Sequence, residues 1–273
     1  MSKLSADNLY HYTNEYSTLI NIINVGFEYR RCKEVLPLTG FSGSPFSIPG
    51  VIKHLIFPEV ICFCDIPFEF VQDHVNQYGE YCIGLTKQWG KQNGITPIRY
   101  VHHTTPELRD DKFYTLQSCA DDLPNFNNSM LLLIDNLLSK IDNDYHPLTQ
   151  KDIDDLPDKW KKLFSQMNCD FLDLISFFRN YLGNMKNYEG EWIDRVTNKK
   201  SIRRFYDERE WRALKHNPHM SNLTFKWDDI TEILIKQDVE YGNILNVLSK
   251  KFQISKNAIS TKLKFTKNIL KEQ

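Results

Sequence analysis

Apolar positions along this 273-residue chain change period several times, and each change marks an element. Leu9 to Thr13 (LYHYT) alternates like a short strand. Asn14 then stands as the cap of a helix from about Glu15 to Val25, where Leu19, Ile20, Ile22 and Ile23 recur at helical spacing and Gly26 supplies the stop. From Arg30 to Lys53 Gly, Ser and Pro break the pattern, which predicts a long surface loop able to order over a ligand. Val60 to Cys64 is a buried strand stopped by Asp65-Ile66-Pro67. A short helix to about Gln77, a turn at Tyr78-Gly79 and a strand from Glu80 to Leu85 follow. Thr86 caps another short helix through Lys91, and Asn93-Gly94 turns into a strand from Thr96 to Val101.

Between about Pro106 and Gly183 the period is helical. Met130 to Ile141 is one segment, and Trp160 to Tyr181 is another, with Leu163, Phe164, Met167, Phe171, Leu174, Ile175 and Phe178 on its apolar stripe. Strands resume at Ile202 to Tyr206, Glu208 to Leu214 and Thr231 to Lys236. In the tail, Ile244, Leu245, Val247 and Leu248 predict a helix, Phe252 to Ser255 a turn, and Ala258 to Leu263 a second helix capped by Ser255, the pattern of a helix-turn-helix. The expected fold is therefore mixed α/β (α+β): a sheet core from residues 1–105 and 184–239, a helical insertion at 106–183, and a C-terminal helical segment at 240–273.

That last segment holds seven lysines against Glu240 and Glu272. It either packs on the sheet with a wet lysine face or binds nucleic acid through phosphate contacts that weaken with salt. The whole chain is balanced, 34 Lys+Arg against 35 Asp+Glu, so no global field points to a nucleic acid or membrane partner. A hydrophobic fraction of 41 % with 17 Phe, 13 Tyr and 5 Trp allows a sizeable core. The opening MSKLSADNLYHYT lacks a signal-peptide pattern and no run approaches 18 apolar residues, which predicts a cytoplasmic protein with no membrane partner. Cys32, Cys62, Cys64, Cys82, Cys119 and Cys169 form no CxxC pair and read as reduced packing residues. His102 and His103 would face opposite sides of a strand, HExxH is missing, and no metal is expected. GxxxxGK[ST], GxGxxG and GxSxG are missing too, which disfavours P-loop hydrolysis and serine hydrolysis.

The sharpest chemical signal is Tyr206-Asp207-Glu208-Arg209-Glu210-Trp211. On a strand Glu208 and Glu210 share one face, with Arg209 and Trp211 on the other. Like charges so close raise one of the two pKa values and give an acid beside a base; the alternative is an exposed edge with a solvated charged face. Two further segments would converge with it on one cleft. His11 and Thr13 share a strand face just before a helix N-terminus, which favours polar or anionic ligands, although a lone His among aromatics also serves as a hydrogen-bonded core residue. Cys64-Asp65 through His74 to Tyr78-Gly79-Glu80-Tyr81 adds polar groups and a stackable Tyr, or ordinary turn chemistry.

Three longer pieces taken in order, LYHYT…LINIINVGF, VICFCDIPFEFVQDHVNQYGEYCIGLTKQWG…GITPIRYV and MKNYEGEW…RRFYDEREWRALK, resemble the AbiGi family of abortive-infection proteins over residues 9 to about 237. That family is described as the antitoxin partner in a two-gene system whose other member is a nucleotidyltransferase-like toxin. The resemblance implies phage defence by growth arrest or death of the infected cell, with a toxin or antitoxin partner. A looser likeness, of motifs alone, is to the ADP-ribosyltransferase fold. The opening is similar to DarT-type enzymes that modify DNA, and Glu208-Arg209-Glu210 to the Glu-x-Glu of transferases acting on protein side chains. The chain departs from that pattern in lacking a Ser-Thr-Ser strand and in its insertion of about eighty residues.

This second likeness implies NAD as substrate. Breaking the nicotinamide–ribose bond builds positive charge on the sugar, which a fixed carboxylate stabilises. Glu210 would take that role and Glu208 would orient or deprotonate a nucleic-acid or protein acceptor. His11 and Thr13 would hydrogen-bond the nucleotide, Tyr78 or Tyr81 would stack on nicotinamide, and Arg30 or Arg31 would pair with the pyrophosphate. Two other readings compete: a non-enzymatic antitoxin that binds a toxin or operator DNA through 240–273, and an inactive transferase fold kept as a nucleotide sensor.

Overall fold

Strand β1 (Asn8–Thr13) serves two cores at once, Leu9 on one face and Tyr10 and Tyr12 on the other. The structure is a computed structural model that describes residues 5–39, 51–56, 58–102, 180–193, 197–215 and 219–271, with backbone alone at 35–39, 51–56 and 271, and isolated positions between 155 and 166. After β1 come helix α1 (Tyr16–Val25) and strands β2 (Arg30–Arg31), β3 (Glu34–Thr39), β4 (Val51–Ile56) and β5 (Glu59–Cys64). A 3-10 turn at Phe68–Phe70 leads into α2 (Gln72–Tyr78), β6 (Tyr81–Thr86), α3 (Lys87–Gln92), β7 (Thr96–Pro97) and β8 (Arg99–Val101). Then follow β9 (Met185–Asn187), β10 (Glu189–Ile193), β11 (Lys200–Arg204), a 3-10 turn at Phe205–Glu208 and β12 (Glu210–Leu214). Next are β13 (Ile230–Ile235), α4 (Tyr241–Phe252), α5 (Lys256–Ser260), β14 (Leu263–Phe265) and α6 (Thr266–Lys271).

The fold is mixed α/β. Its main sheet runs β14-β13-β6-β1-β5-β12-β7, with β2 also paired to β5; β13 and β14 are parallel and the other neighbours antiparallel. Strand alternation sorts the side chains. Leu9, Ile61, Phe63, Ile83, Leu85, Ile233 and Ile235 pack with Leu19 and Ile23 of α1 and Ile244 and Leu248 of α4. On the other face Tyr10, Tyr12, Cys64, Cys82 and Leu234 pack with Ile66, Val71 and Val75. Because both faces are covered, the central strands read as continuous apolar runs. Cys32, Cys62, Cys64 and Cys82 are free thiols.

Several boundaries differ from the sequence expectation. Helix α1 starts one residue later, with Glu15 rather than Asn14 at the cap position and no side-chain cap bond, while Gly26 (φ +90°) ends it and donates to the Ile22 carbonyl. Thr86 and Ser255 cap α3 and α5 as expected, accepting from Trp89 N–H at 3.2 Å and Ala258 N–H at 3.4 Å. The span 30–53, expected as loop, carries β2, β3 and the start of β4. The strand expected at 96–101 splits: Pro97 has no N–H to continue a ladder, so β7 stays on β12 while β8 pairs in parallel with β9. The Glu208–Leu214 strand begins only at Glu210, because 205–208 wind as a 3-10 turn and Arg209 takes a left-handed backbone (φ 44°). Ile202–Tyr206 likewise ends as strand at Arg204.

The chain divides into two compact units, residues 1–38, 52–103 and 183–273 in one and 39–51 and 104–182 in the other. The helices expected at Met130–Ile141 and Trp160–Tyr181 belong to the second unit and lie almost wholly outside the described residues. The tail belongs to the first unit. Its α5 is shorter than expected, and Leu263 opens strand β14 instead of closing a helix. Ile244, Leu248, Ile259 and Leu263 are buried in the main core. Among the described residues no helix is long and apolar enough to cross a membrane.

Since the tail is core, Leu248→Ala should cost about 2–5 kcal/mol in urea unfolding. Truncation after residue 239 should abolish the cooperative transition, and a truncated chain that still melts cooperatively would show the core to be independent of the tail.

Candidate functional site

The cleft of the first unit opens where β1 and β5 part. Tyr10 pairs with Cys64, and no further pair between these strands is in register. Beyond that point the imidazole of His11 takes the place of a ladder bond, its Nδ1–H donating to the Cys62 carbonyl at 2.8 Å. Burial lowers the His11 pKa, so the ring is neutral and its Nε2 is left as an acceptor. The cavity is about 690 Å³. Tyr10, Tyr12, His74, Tyr78, Trp192 and Phe205 are among its aromatic lining, and Glu208, Glu210 and Lys186, with Arg31, Lys33, Glu34 and Glu191, are its charged residues.

The β5–β12 register sets Glu210 opposite Cys64 and Arg212 opposite Cys62, so Tyr10, Cys64 and Glu210 form one row across three strands. Glu208 closes the 3-10 turn, and the left-handed Arg209 brings its carboxylate back beside that of Glu210. The meeting point is Lys186 of β9, whose Nζ donates to Glu208 Oε2 at 2.6 Å and to Glu210 Oε2 at 2.8 Å. The other oxygens are held from behind. Glu210 Oε1 accepts from Arg212 Nε at 2.6 Å; Glu208 Oε1 accepts from the Tyr78 hydroxyl at 2.8 Å, with Arg203 Nη2 at 3.6 Å. Fully buried Arg212 also pairs with Glu34 and donates to the Gly183 carbonyl at 2.9 Å.

Three carboxylates thus meet three cations in a largely buried cluster. Burial pushes the Glu210 carboxyl up, but the Lys186 and Arg212 charges more than reverse this and hold it well below the usual carboxylate range. Burial lowers Lys186 and Arg212, and their glutamate neighbours raise both well above their ordinary values. One expectation is corrected here. Glu208 and Glu210 converge through a turn and not through strand alternation. A cation, Lys186, stands between them. The solvated-edge alternative is also excluded, since Glu208 and Glu210 are 3 % and 7 % exposed and β7 lies beyond β12.

Of the residues expected to meet, His11, Arg31, Tyr78, Glu208 and Glu210 line the cleft. Thr13, Arg30 and Tyr81 do not. Thr13 sits at the end of the β1–β6 ladder against Gly79 (φ +112°), where a side chain would collide with the Thr13 carbonyl. Tyr81 stands on the main-core face and donates to Glu240 Oε1 at 2.6 Å. Arg30 is 72 % exposed and pairs with Glu28 at 3.3 Å. Lys186, Arg203, Arg212 and Glu34 were not expected. A charge at Arg212 inside the apolar strand EWRAL was the one available signal, since such a charge needs a buried partner.

His74 also lines the cleft, in ring contact with Tyr12 and Tyr78. Burial, with the Arg203 charge, pulls its pKa down to about 3. Its Nδ1 and the Tyr12 hydroxyl have no hydrogen-bond partner, which leaves two polar groups in the cleft lining for a ligand. No group of His, Cys, Asp and Glu among the described residues could hold a metal ion.

The basic tail is largely committed inside the chain. Lys251 donates to the Asn24 carbonyl and Lys262 to those of Trp227 and Ile230, while Lys264 pairs with Glu232 and Lys267 with Asp238. Four of the seven tail lysines are thus engaged within the chain.

A family model described as "Putative abortive phage resistance protein AbiGi, antitoxin" matches residues 55–269. The chain belongs to this family. The match contains Tyr78, Lys186, Glu208 and Glu210 and extends through the tail, but begins after His11. An "Abortive phage resistance protein AbiGi" of Lactococcus lactis subsp. cremoris is 25 % identical over 185 residues, which are 65 % of this chain and 55 % of the relative, so the chain spans about half of that protein's length. No solved structure matches.

Acid should expose the neutral state of His74. Its folded pKa of about 3 lies below the unfolded value of about 6.5, so below that pH the unfolded chain binds a proton that the folded chain refuses. Stability is then full above about pH 6.5 and falls toward pH 3, and His74→Phe should flatten the fall of Tm between pH 7 and 5; an unchanged slope would contradict the assignment. Arg212→Met takes the cation from Glu34 and one of two from Glu210, leaving it Lys186 alone, and should cost about 3–5 kcal/mol by urea unfolding.

Proposed function

We propose that this AbiGi-family chain acts in phage defence through its cleft, as a transferase that binds NAD and passes the ADP-ribose group to a macromolecular acceptor. The observation that carries this is the meeting of His11, Tyr78, Glu208 and Glu210 around one cavity of about 690 Å³, within the range of about 300–1,000 Å³ usual for small-molecule sites. The lining suits a dinucleotide. Aromatic side chains offer faces to planar rings, and the exposed Arg31 and Lys33 offer charge to a pyrophosphate. His11 Nε2 and the Tyr12 hydroxyl can meet sugar hydroxyls or an amide.

In the transfer the nicotinamide–ribose bond breaks with its electron pair leaving on nicotinamide. An acceptor oxygen or nitrogen forms the new bond to the same carbon and loses its proton to solvent water. Glu210, ionised and held from behind by Arg212, is a fixed anion for the positive charge that builds on the sugar. Glu208, which accepts from the Tyr78 hydroxyl, would accept a hydrogen bond from the acceptor. The six neighbouring charges cancel, so Glu210 acts by proximity to the sugar and not through a net negative field.

The family description favours a second reading, an antitoxin that neutralises a partner toxin. Glu210→Gln separates the two. The transferase reading expects wild type to bind NAD and release nicotinamide, and Glu210→Gln, with an unchanged circular dichroism spectrum, to be slower by about 100-fold or more. Wild type that neither binds NAD nor releases nicotinamide would refute it. If Glu210→Gln still protects cells expressing the toxin as well as wild type does, the antitoxin reading stands in its place.

A further inference from the structure

We propose that Lys186 is the positioning residue of this cleft: its ammonium bridges Glu208 and Glu210 so that both stand as anions toward the ligand, and without it the two carboxylates would share one proton. The kinetic consequence rests on the transferase reading above, but the protonation consequence does not.

Each glutamate is held at two points. The rear oxygens belong to Arg212 and Tyr78, while the two Oε2 atoms have in Lys186 a single common partner. Both oxygens must therefore lie within one ammonium's reach of each other, a spacing at which two buried carboxylates do not both stay ionised unless a cation intervenes. The ammonium is itself confined, 5.2 Å from the centre of the Phe205 ring and with its side chain 13 % exposed.

The groups around the pair do not duplicate this role. Arg212 is divided between Glu210 Oε1, Glu34 and the Gly183 carbonyl, and Arg203 approaches the Oε1 side of Glu208. Burial keeps the Tyr78 and Tyr100 hydroxyls protonated; Tyr78 donates to Glu208 and Tyr100 accepts from the Glu210 N–H. The hydrogen bond with Cys32 and then burial raise the Cys62 thiol, and burial raises Cys64 and lowers the His74 and His11 imidazoles, so all four are neutral near pH 7. Among the described residues Lys186 is thus the one cation that bonds both carboxylates. The arrangement also assigns the pair a manner of working. Two anions stabilise charge and accept hydrogen bonds; a pair sharing a proton would act as acid and base, and it is Lys186 that selects the first.

The test is infrared spectroscopy of the full chain at pH 7. Lys186→Met should show the carbonyl band of a protonated side-chain carboxylic acid that is absent from wild type and from Lys186→Arg. Adding Glu208→Gln to Lys186→Met should remove the band. A folded Lys186→Met chain without the band overturns the proposal, and since no NAD is added, it does so independently of the transferase reading. If Lys186→Met does not fold, Lys186→Gln, neutral but still a hydrogen-bond donor, is judged by the same criterion. In nicotinamide release, Lys186→Met should gain about tenfold between pH 6 and 8 as the shared proton leaves, while wild type stays within about twofold. Equal pH profiles would also overturn it.

Discussion

Arg212 is fully buried, and everything near the cleft is arranged to satisfy it. A guanidinium carried out of water costs several kcal/mol and is tolerated only with good geometry on every side. Here the partners come from remote parts of the chain: Glu34 on β3, the carbonyls of Gly183 and Met185, and Glu210 on its own strand. One side chain therefore fixes how the strands flanking the insertion meet the start of β3. Lys186, one residue past Met185, inherits its place from that arrangement and draws Glu208 in beside Glu210.

The second constraint is the parting of β1 from β5. A sheet that stayed paired beyond Tyr10 and Cys64 would have no cleft. Since the carbonyls left behind must still be satisfied, His11 spends one ring nitrogen on the Cys62 backbone while the residue lines the cavity. The imidazole is thus both a structural substitute for a strand partner and a wall of the site. The hydrogen-bonded core reading of His11 holds through that Nδ1 bond, and the residue also lines the cleft.

Much of the fold was legible along the chain, because the signals were local. Gly26, Thr86 and Ser255 end or cap helices within a few residues of themselves, and the apolar run at Val60–Cys64 reflects a strand covered on both faces. The errors fell where a distant partner decides. Nothing around residue 263 announces a strand, since β14 exists only by pairing with β13 some thirty residues earlier. The Glu208 boundary failed because a turn, held by Tyr206 and Arg209 backbone bonds, interrupts a sequence whose alternation suits a strand. Of the six residues assigned to the nucleotide, with Arg30 or Arg31 and Tyr78 or Tyr81 as alternatives, Thr13, Arg30 and Tyr81 lie outside the cleft lining. Local pattern gives a face, but not how far along the strand the cavity reaches.

By itself the sequence determined the mixed α/β class, the order of most elements, membership of an abortive-infection family and the Glu208–Glu210 pair as a centre of charge. These follow from periodicity, turn chemistry and residue identity, all written over short distances. Tertiary structure alone decided that the pair is buried, that a lysine stands between its carboxylates, and that an arginine two residues on anchors the group. Ion pairs out of water depend on partners brought together across 178 residues, and no local pattern encodes that meeting.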